Sequence, residues 1–176
     1  MAKGLNSNNV SLAGEFAVLC QLALRGFVAN MTLGNTKSVD VLVADPKPGG
    51  RMLKLEVKTN YRDSRSEGVR SKDFGNFVSS WMMAEKHETL KDASLFYCFV
   101  NISKDTKNFK FYIVPSGVVA DYVKRQHQHW LAGGDKRKDS QLRQFRLGRA
   151  GEDYPISTPT IEEYEDNWEF TTATRA

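Results

Sequence analysis

Residues Arg51 to Thr59 read Arg-Met-Leu-Lys-Leu-Glu-Val-Lys-Thr, and this period of two constrains the surrounding chain more than any other feature. A strand points successive side chains to opposite faces, so Leu53, Leu55 and Val57 fall on one side and Lys54, Glu56 and Lys58 on the other. Upstream, Ser38 to Ala44 is β-branched and apolar, with Asp40 out of phase with Val39, Val41 and Val43. The intervening Asp45-Pro46-Lys47-Pro48-Gly49-Gly50 is turn chemistry. Two antiparallel strands joined by a loop follow, and their pairing puts Asp40 on the face of Glu56 and Lys58.

Charged groups inside otherwise apolar strands cost several kcal/mol each unless paired or bound to a metal, on the order of the desolvation penalty per ion. Paired carboxylates suit a hard divalent cation. Mg²⁺ takes oxygen ligands, keeps several waters and commonly uses one or two protein carboxylates plus substrate phosphate, which Asp40 and Glu56 can supply. Lys58, about 6 to 7 Å along the strand from Glu56, is placed to hold or deprotonate an attacking water. Glu15 falls three residues after Leu12 and four before Leu19, at the edge of an apolar helical stripe, where a carboxylate facing the sheet needs a metal, a water or a cation.

The remaining pattern supplies an α/β frame. Leu12, Phe16, Leu19 and Ala23 predict the inner face of a helix capped by Ser11 and stopped by Gly26. An extended piece covers Phe27 to Asn30. The polar stretch Asn60 to Asp73 reads as a loop, and Phe74, Phe77, Trp81 and Ala84 predict a second helix ending near Leu90. Ser94 to Ile102 is apolar enough for a strand buried on both faces, with Phe109 to Val114 as its partner. Pro115 and Ser116 open a third helix with Val119, Tyr122, Val123, Gln126 and Trp130 inward, and Gly133-Gly134 stops it. Leu142, Phe145 and Leu147 predict a short edge strand within a basic stretch. Thr160 and Glu163 form a capping-box pattern for a C-terminal helix that turns Ile161, Tyr164 and Trp168 to one face.

With 176 residues, 40% hydrophobic and 26% charged, the chain suits one domain, with a core at about 10–132 and a basic loop and C-terminal helix at 133–176. No run reaches the roughly 18 apolar residues of a membrane span, and the polar start lacks a signal-peptide pattern, so a cytoplasmic protein without a membrane partner is expected. Cys20 and Cys98 sit in apolar runs as structural thiols. The net charge of +4 permits a polyanionic partner without naming one.

Gly14-Glu15, then Asp40, then Glu56-Val57-Lys58 resembles the PD-(D/E)XK nuclease superfamily, whose restriction-endonuclease-like fold also contains archaeal Holliday junction resolvases. The resemblance covers the first half of the chain directly. It implies a central mixed sheet flanked by helices with an αβββαβ core, here carrying a C-terminal helical appendage. It also implies Mg²⁺, with Mn²⁺ as a substitute, held by Asp40, Glu56 and the Val57 carbonyl. Lys58 would serve the water and Glu15 would assist. Val39 stands where the motif's name expects proline, which removes no ligand.

The expected function is a metal-dependent endonuclease that hydrolyses DNA phosphodiester bonds through a metal-activated water. A possible homodimer would place one site on each strand. A structure-selective, Holliday junction resolvase-like enzyme is the alternative within that class, and a non-catalytic nucleic-acid-binding module is the alternative outside it. Arg62, Arg65, Arg70 and Lys72 follow the strand of Lys58 closely enough to reach phosphates. Lys124 and Arg125, with Lys136, Arg137, Lys138, Arg143, Arg146 and Arg149, make the later segment the most basic. His127 and His129 are two apart on a helix and point in different directions, so they do not form a shared metal site.

Overall fold

The computed structural model describes residues 5–32, 38–62, 70–71, 75–76, 79–134, 136–148 and 155–171. Helix α1 (Ser7–Leu24) leads into β1 (Val28–Met31), β2 (Val41–Ala44) and the long β3 (Met52–Arg62). Two short strands follow, β4 (Arg70–Ser71) and β5 (Gly75–Asn76), then β6 (Ser79–Ala84) and a 3-10 turn (Glu85–Glu88). Strands β7 (Leu95–Ser103) and β8 (Phe109–Pro115), helix α2 (Ser116–Ala132), strand β9 (Leu142–Leu147) and the one-turn helix α3 (Ile161–Tyr164) complete the chain.

The central sheet is mixed, in the order β1-β2-β3-β7-β8. Only β3 and β7 are parallel, with Glu56 paired to Tyr97 and Lys58 to Phe99. The two faces bury separate cores. On one face Leu53, Leu55 and Val57 meet Val41, Val43, Cys98 and Ile113 beneath Val18 and Leu22 of α1, with Trp168 and Phe170 closing the end. On the other, Tyr97, Phe99, Tyr112 and Val114 pack against Val119, Tyr122 and Val123 of α2 and against Trp81, Phe145 and Leu147. The last three residues come from the antiparallel pair β6–β9, which forms its own two-stranded sheet with Trp81 opposite Phe145.

Several expectations change. The predicted second helix is absent among the described residues: Trp81 and Ala84 lie in strand β6 and Leu90 lies beyond the 3-10 turn, while Phe74 and Phe77 fall outside the described residues. Local spacing there is overridden by pairing with the distant β9, Trp81 opposite Phe145. The first helix starts earlier than expected, capped by the Asn6 side chain on the amides of Asn8 and Asn9. Its seat is also rotated. Gly14, Val18 and Leu22 face the sheet, while Leu12 and Phe16 are exposed. Glu15 is the single charged residue in this helix, so apolar periodicity alone could not select the buried side. The seat is set by contact: a Cβ on Gly14 would lie 1.9 Å from Thr59 Oγ1, an approach only glycine permits.

Cys98 is buried as expected, but Cys20 is exposed on the outer side of α1. Gly26 adopts φ +81 just past the α1 cap, as a helix-stopping glycine should. Thr160 precedes α3 but makes no side-chain capping bond, and α3 is four residues long, so Trp168 is buried by the segment that follows it. Among the described residues no helix is long and apolar enough to cross a membrane.

Candidate active site

The alternation along β3 survives folding: Leu53, Leu55 and Val57 are buried in the core under α1, and Glu56 on the opposite face is 3% exposed. Strand β2 begins one residue after Asp40, whose amide donates to the Leu55 carbonyl at 2.7 Å. The Val41–Leu55 register therefore sets Asp40 beside Glu56. There the chain leaves the ladder. Ser38 adopts a left-handed conformation, φ 62, and the Val57 amide is taken by the Asp40 side chain, donating to Oδ2 at 2.7 Å. The amide and carbonyl of one strand residue point to the same edge, so the Val57 carbonyl faces the edge that Asp40 occupies.

Glu56 is held by two donors on one oxygen. Lys58 Nζ lies 2.7 Å from Oε1 and His87 Nε2 lies 3.1 Å from the same atom. Burial pushes the Glu56 carboxyl up, but the bonds and charges of His87 and Lys58 outweigh it and hold the group at about 2. Its second oxygen, Oε2, is buried without a hydrogen-bond partner. The buried Tyr97 phenol is raised by desolvation, by the Glu56 charge and by its hydrogen-bonding approach to that carboxylate, although its hydroxyl, like Oε2, is not within hydrogen-bond geometry of a partner.

The other two carboxylates shift the opposite way. Asp40 is raised by burial and by Glu56, opposed by the Val57 amide and by the charges of Lys58 and Lys86. Glu15 is raised by burial and then by Asp40, with Lys58 opposing. These mutual influences mean that Glu15, Asp40, Glu56 and Lys58 form one electrostatic cluster, as the sequence predicts. Glu15 comes in on α1 from the far side of the sheet, carried close by the Gly14–Thr59 contact.

The donor set fits a hard cation. An unsatisfied buried carboxylate oxygen, a second carboxylate kept from ionising freely by burial and, to a lesser degree, by like charge, and a carbonyl turned to the same edge are oxygen ligands short of positive charge. Among the described residues, no three or more His, Cys, Asp and Glu side chains are grouped closely enough to hold a metal without help. Waters, and a substrate phosphate once DNA is bound, would complete the shell of a site of this kind, as in Mg²⁺ sites commonly.

The expected nucleic-acid contacts are scattered. Arg62, at the exposed end of β3, donates to the Ser80 carbonyl at 3.1 Å. Lys124 and Arg125 are exposed on the outer side of α2. Arg65 and Lys72 lie outside the described residues, as does Arg149. Arg143 and Arg146 are 4% and 5% exposed, which removes them from the surface the basic segment was expected to form. Arg143 is an internal tie, bonded to Glu88 and to the Ser140 carbonyl. His127 pairs with Asp139 at 2.8 Å and does not join His129 in a site.

Three site neighbours escaped the sequence reading: His87, Tyr97 and Lys86. Tyr97 was legible only as a strand residue, and its place beside Glu56 depends on the β3–β7 register. Lys86 and His87 fell in the segment misread as helix, where nothing in the local pattern marks them. Lys86 Nζ lies 3.1 Å from Ser38 Oγ, tying the 3-10 turn to the strained residue ahead of Asp40.

No protein-family model and no curated protein sequence matches this chain. Among solved structures it is similar to a bacterial homing endonuclease, I-Ssp6803I, at 16% identity and a TM-score of 0.50, over 95% of this chain and 91% of that one. The fold is shared with a homing endonuclease. In both chains the likeness runs over nearly the whole length.

Proposed function

We propose that this chain is a divalent-cation-dependent DNA endonuclease of the PD-(D/E)XK kind, with Asp40, Glu56 and the Val57 carbonyl as cation ligands. The observation that carries the reading is Glu56: a buried, ionised carboxylate with one oxygen doubly bonded and the other left without a partner. A purely structural ion-pair cluster would satisfy both oxygens, since an unmet buried acceptor costs about 1 to 3 kcal/mol. The structural likeness to a homing endonuclease supports DNA as the substrate class.

In this reading a bound Mg²⁺, or Mn²⁺ in its place, would be held by Asp40, Glu56 and the Val57 carbonyl and would supply Lewis-acid charge neutralisation. The rest is done by the chain. Asp40, fixed by the Val57 amide, and Glu56, fixed by Lys58 and His87, present oxygens at set positions without reorganisation during the reaction. The Lys58 ammonium, anchored on Glu56, offers its remaining N–H groups to the attacking water or to a phosphoryl oxygen. Glu15, approaching from the α1 side and raised by burial and by Asp40, would accept a hydrogen bond from the same water.

The test is cleavage of supercoiled, linear, branched and single-stranded DNA with Mg²⁺ or Mn²⁺. Glu56→Ala and Lys58→Ala should each abolish cutting, on the order of 10²-fold or more, while retaining DNA binding in a mobility-shift assay. Undiminished cutting by both variants, or DNA binding with no cutting by the parent under either cation, would overturn the assignment. The DNA panel also separates a structure-selective enzyme from one that cuts plain duplex.

A further inference from the structure

His87 is 3% exposed, and both ring nitrogens have partners. Nδ1 lies 2.9 Å from both the amide and the carbonyl of Ala84, and Nε2 lies 3.1 Å from Oε1 of the ionised Glu56, an acceptor-only partner to which Nε2 donates. The ring is held on its side by Tyr97, edge to face at a centroid distance of 5.8 Å. The turn bearing it is pinned at both ends, by the Glu85 amide on the Gln141 carbonyl at 2.9 Å and by Glu88 on Arg143. This is a rigid donor aimed at one oxygen of one carboxylate.

The terminal torsion of a glutamate is broad and nearly two-fold, so by itself it does not distinguish the two oxygens. Lys58 alone would not fix it, because a flexible ammonium follows either oxygen. His87 cannot follow. We propose that His87 is a positioning residue for Glu56, holding Oε1 on the protein side so that Oε2 is the oxygen delivered to the cation. The proposal rests on the metal-dependent reading above and adds to it a residue that does not itself touch the metal or DNA.

The test compares His87→Gln, His87→Asn and His87→Ala by calorimetric titration of Mn²⁺ into DNA-free protein, with DNA cleavage against Mn²⁺ concentration as a second readout. Glutamine carries an amide nitrogen where the ring has Nε2, whereas asparagine's falls near Nδ1 and short of Glu56. His87→Gln should bind Mn²⁺ within about 3-fold of the parent, whereas His87→Asn and His87→Ala should bind about 10- to 100-fold more weakly, the usual range for a lost outer partner of a ligand. Cleavage by the weak variants should recover towards the parent rate at saturating Mn²⁺. Parent-like affinity in all three, or equal losses in the Gln and Asn variants, would overturn the proposal while leaving the nuclease reading intact. A parent that neither binds Mn²⁺ nor cuts DNA would overturn both. Should His87→Ala fail to fold, the Gln and Asn pair still decides the matter.

Discussion

Replacing the site carboxylates by their amides should move stability in opposite directions. Asp40 is raised by burial and by Glu56, so the folded state prefers it protonated. Its contribution to stability is therefore present at low pH and lost as pH rises through its folded value. Asp40→Asn keeps an acceptor for the Val57 amide and removes the charge, so in chelator at neutral pH it should melt higher than the parent, with the gap closing as pH falls. Glu56 is the reverse case, held at about 2 against an ordinary 4.5. Its contribution is present above about 4.5 and lost as pH falls towards 2, so Glu56→Gln should be destabilised at neutral pH by about 1 to 3 kcal/mol and should flatten the acid limb of the melting curve. Equal melting shifts of the same sign would contradict this electrostatic account. Asp40, Glu56 and Lys58 were readable because alternation along a strand is a local property. His87 and Tyr97 were not, because each reaches Glu56 only through a pairing made elsewhere in the chain.

At the scale of elements, α1 matters through where it sits. Alanine at position 14 would favour an isolated helix by about 1 kcal/mol, yet its Cβ would collide with Thr59 Oγ1 and crowd Thr59 Cβ at 2.9 Å. The clash outweighs propensity, and Gly14→Ala should lose roughly 1 to 3 kcal/mol by denaturant unfolding, the usual cost of overpacking. Because Glu15 is the next residue, cleavage should fall as well. Removing the hydroxyl and methyl in Gly14→Ala/Thr59→Ala should recover part of both, and strict additivity of the two substitutions would count against the contact. Strand β6 shows the opposite failure of local reading. Trp81 and Ala84 fit a helical spacing, but burial along Ser79–Ala84 follows the demands of β9 and the aromatic layer of Phe99 and Phe145. The strands of the sheet were legible because their apolar runs are long. The helix and the strand that were misread carry apolar residues on too many sides, or over too short a length, for period to decide.

For the whole molecule, residues beyond α2 complete both cores. Phe145, Leu147 and Tyr164 fill the side under α2, and Trp168 and Phe170 fill the side under α1. At about 1.5 to 3 kcal/mol for each buried large side chain, these five together rival the entire stability of an ordinary domain. A chain ending at Gly134 should therefore lose its cooperative thermal transition and become protease-sensitive. A sharp melt for that fragment would show that the N-terminal part folds alone.

The parallel pairing of β3 with β7 has a consequence for the order of events during synthesis. Glu15, Asp40, Glu56 and Lys58 all leave the ribosome early, yet the strand beside Glu56 and the turn bearing His87 are secured by residues as late as Arg143 and Phe170. The acidic cluster is thus translated first and assembled last, so a growing or abandoned chain carries its four charged residues before the strand and turn that hold them in place.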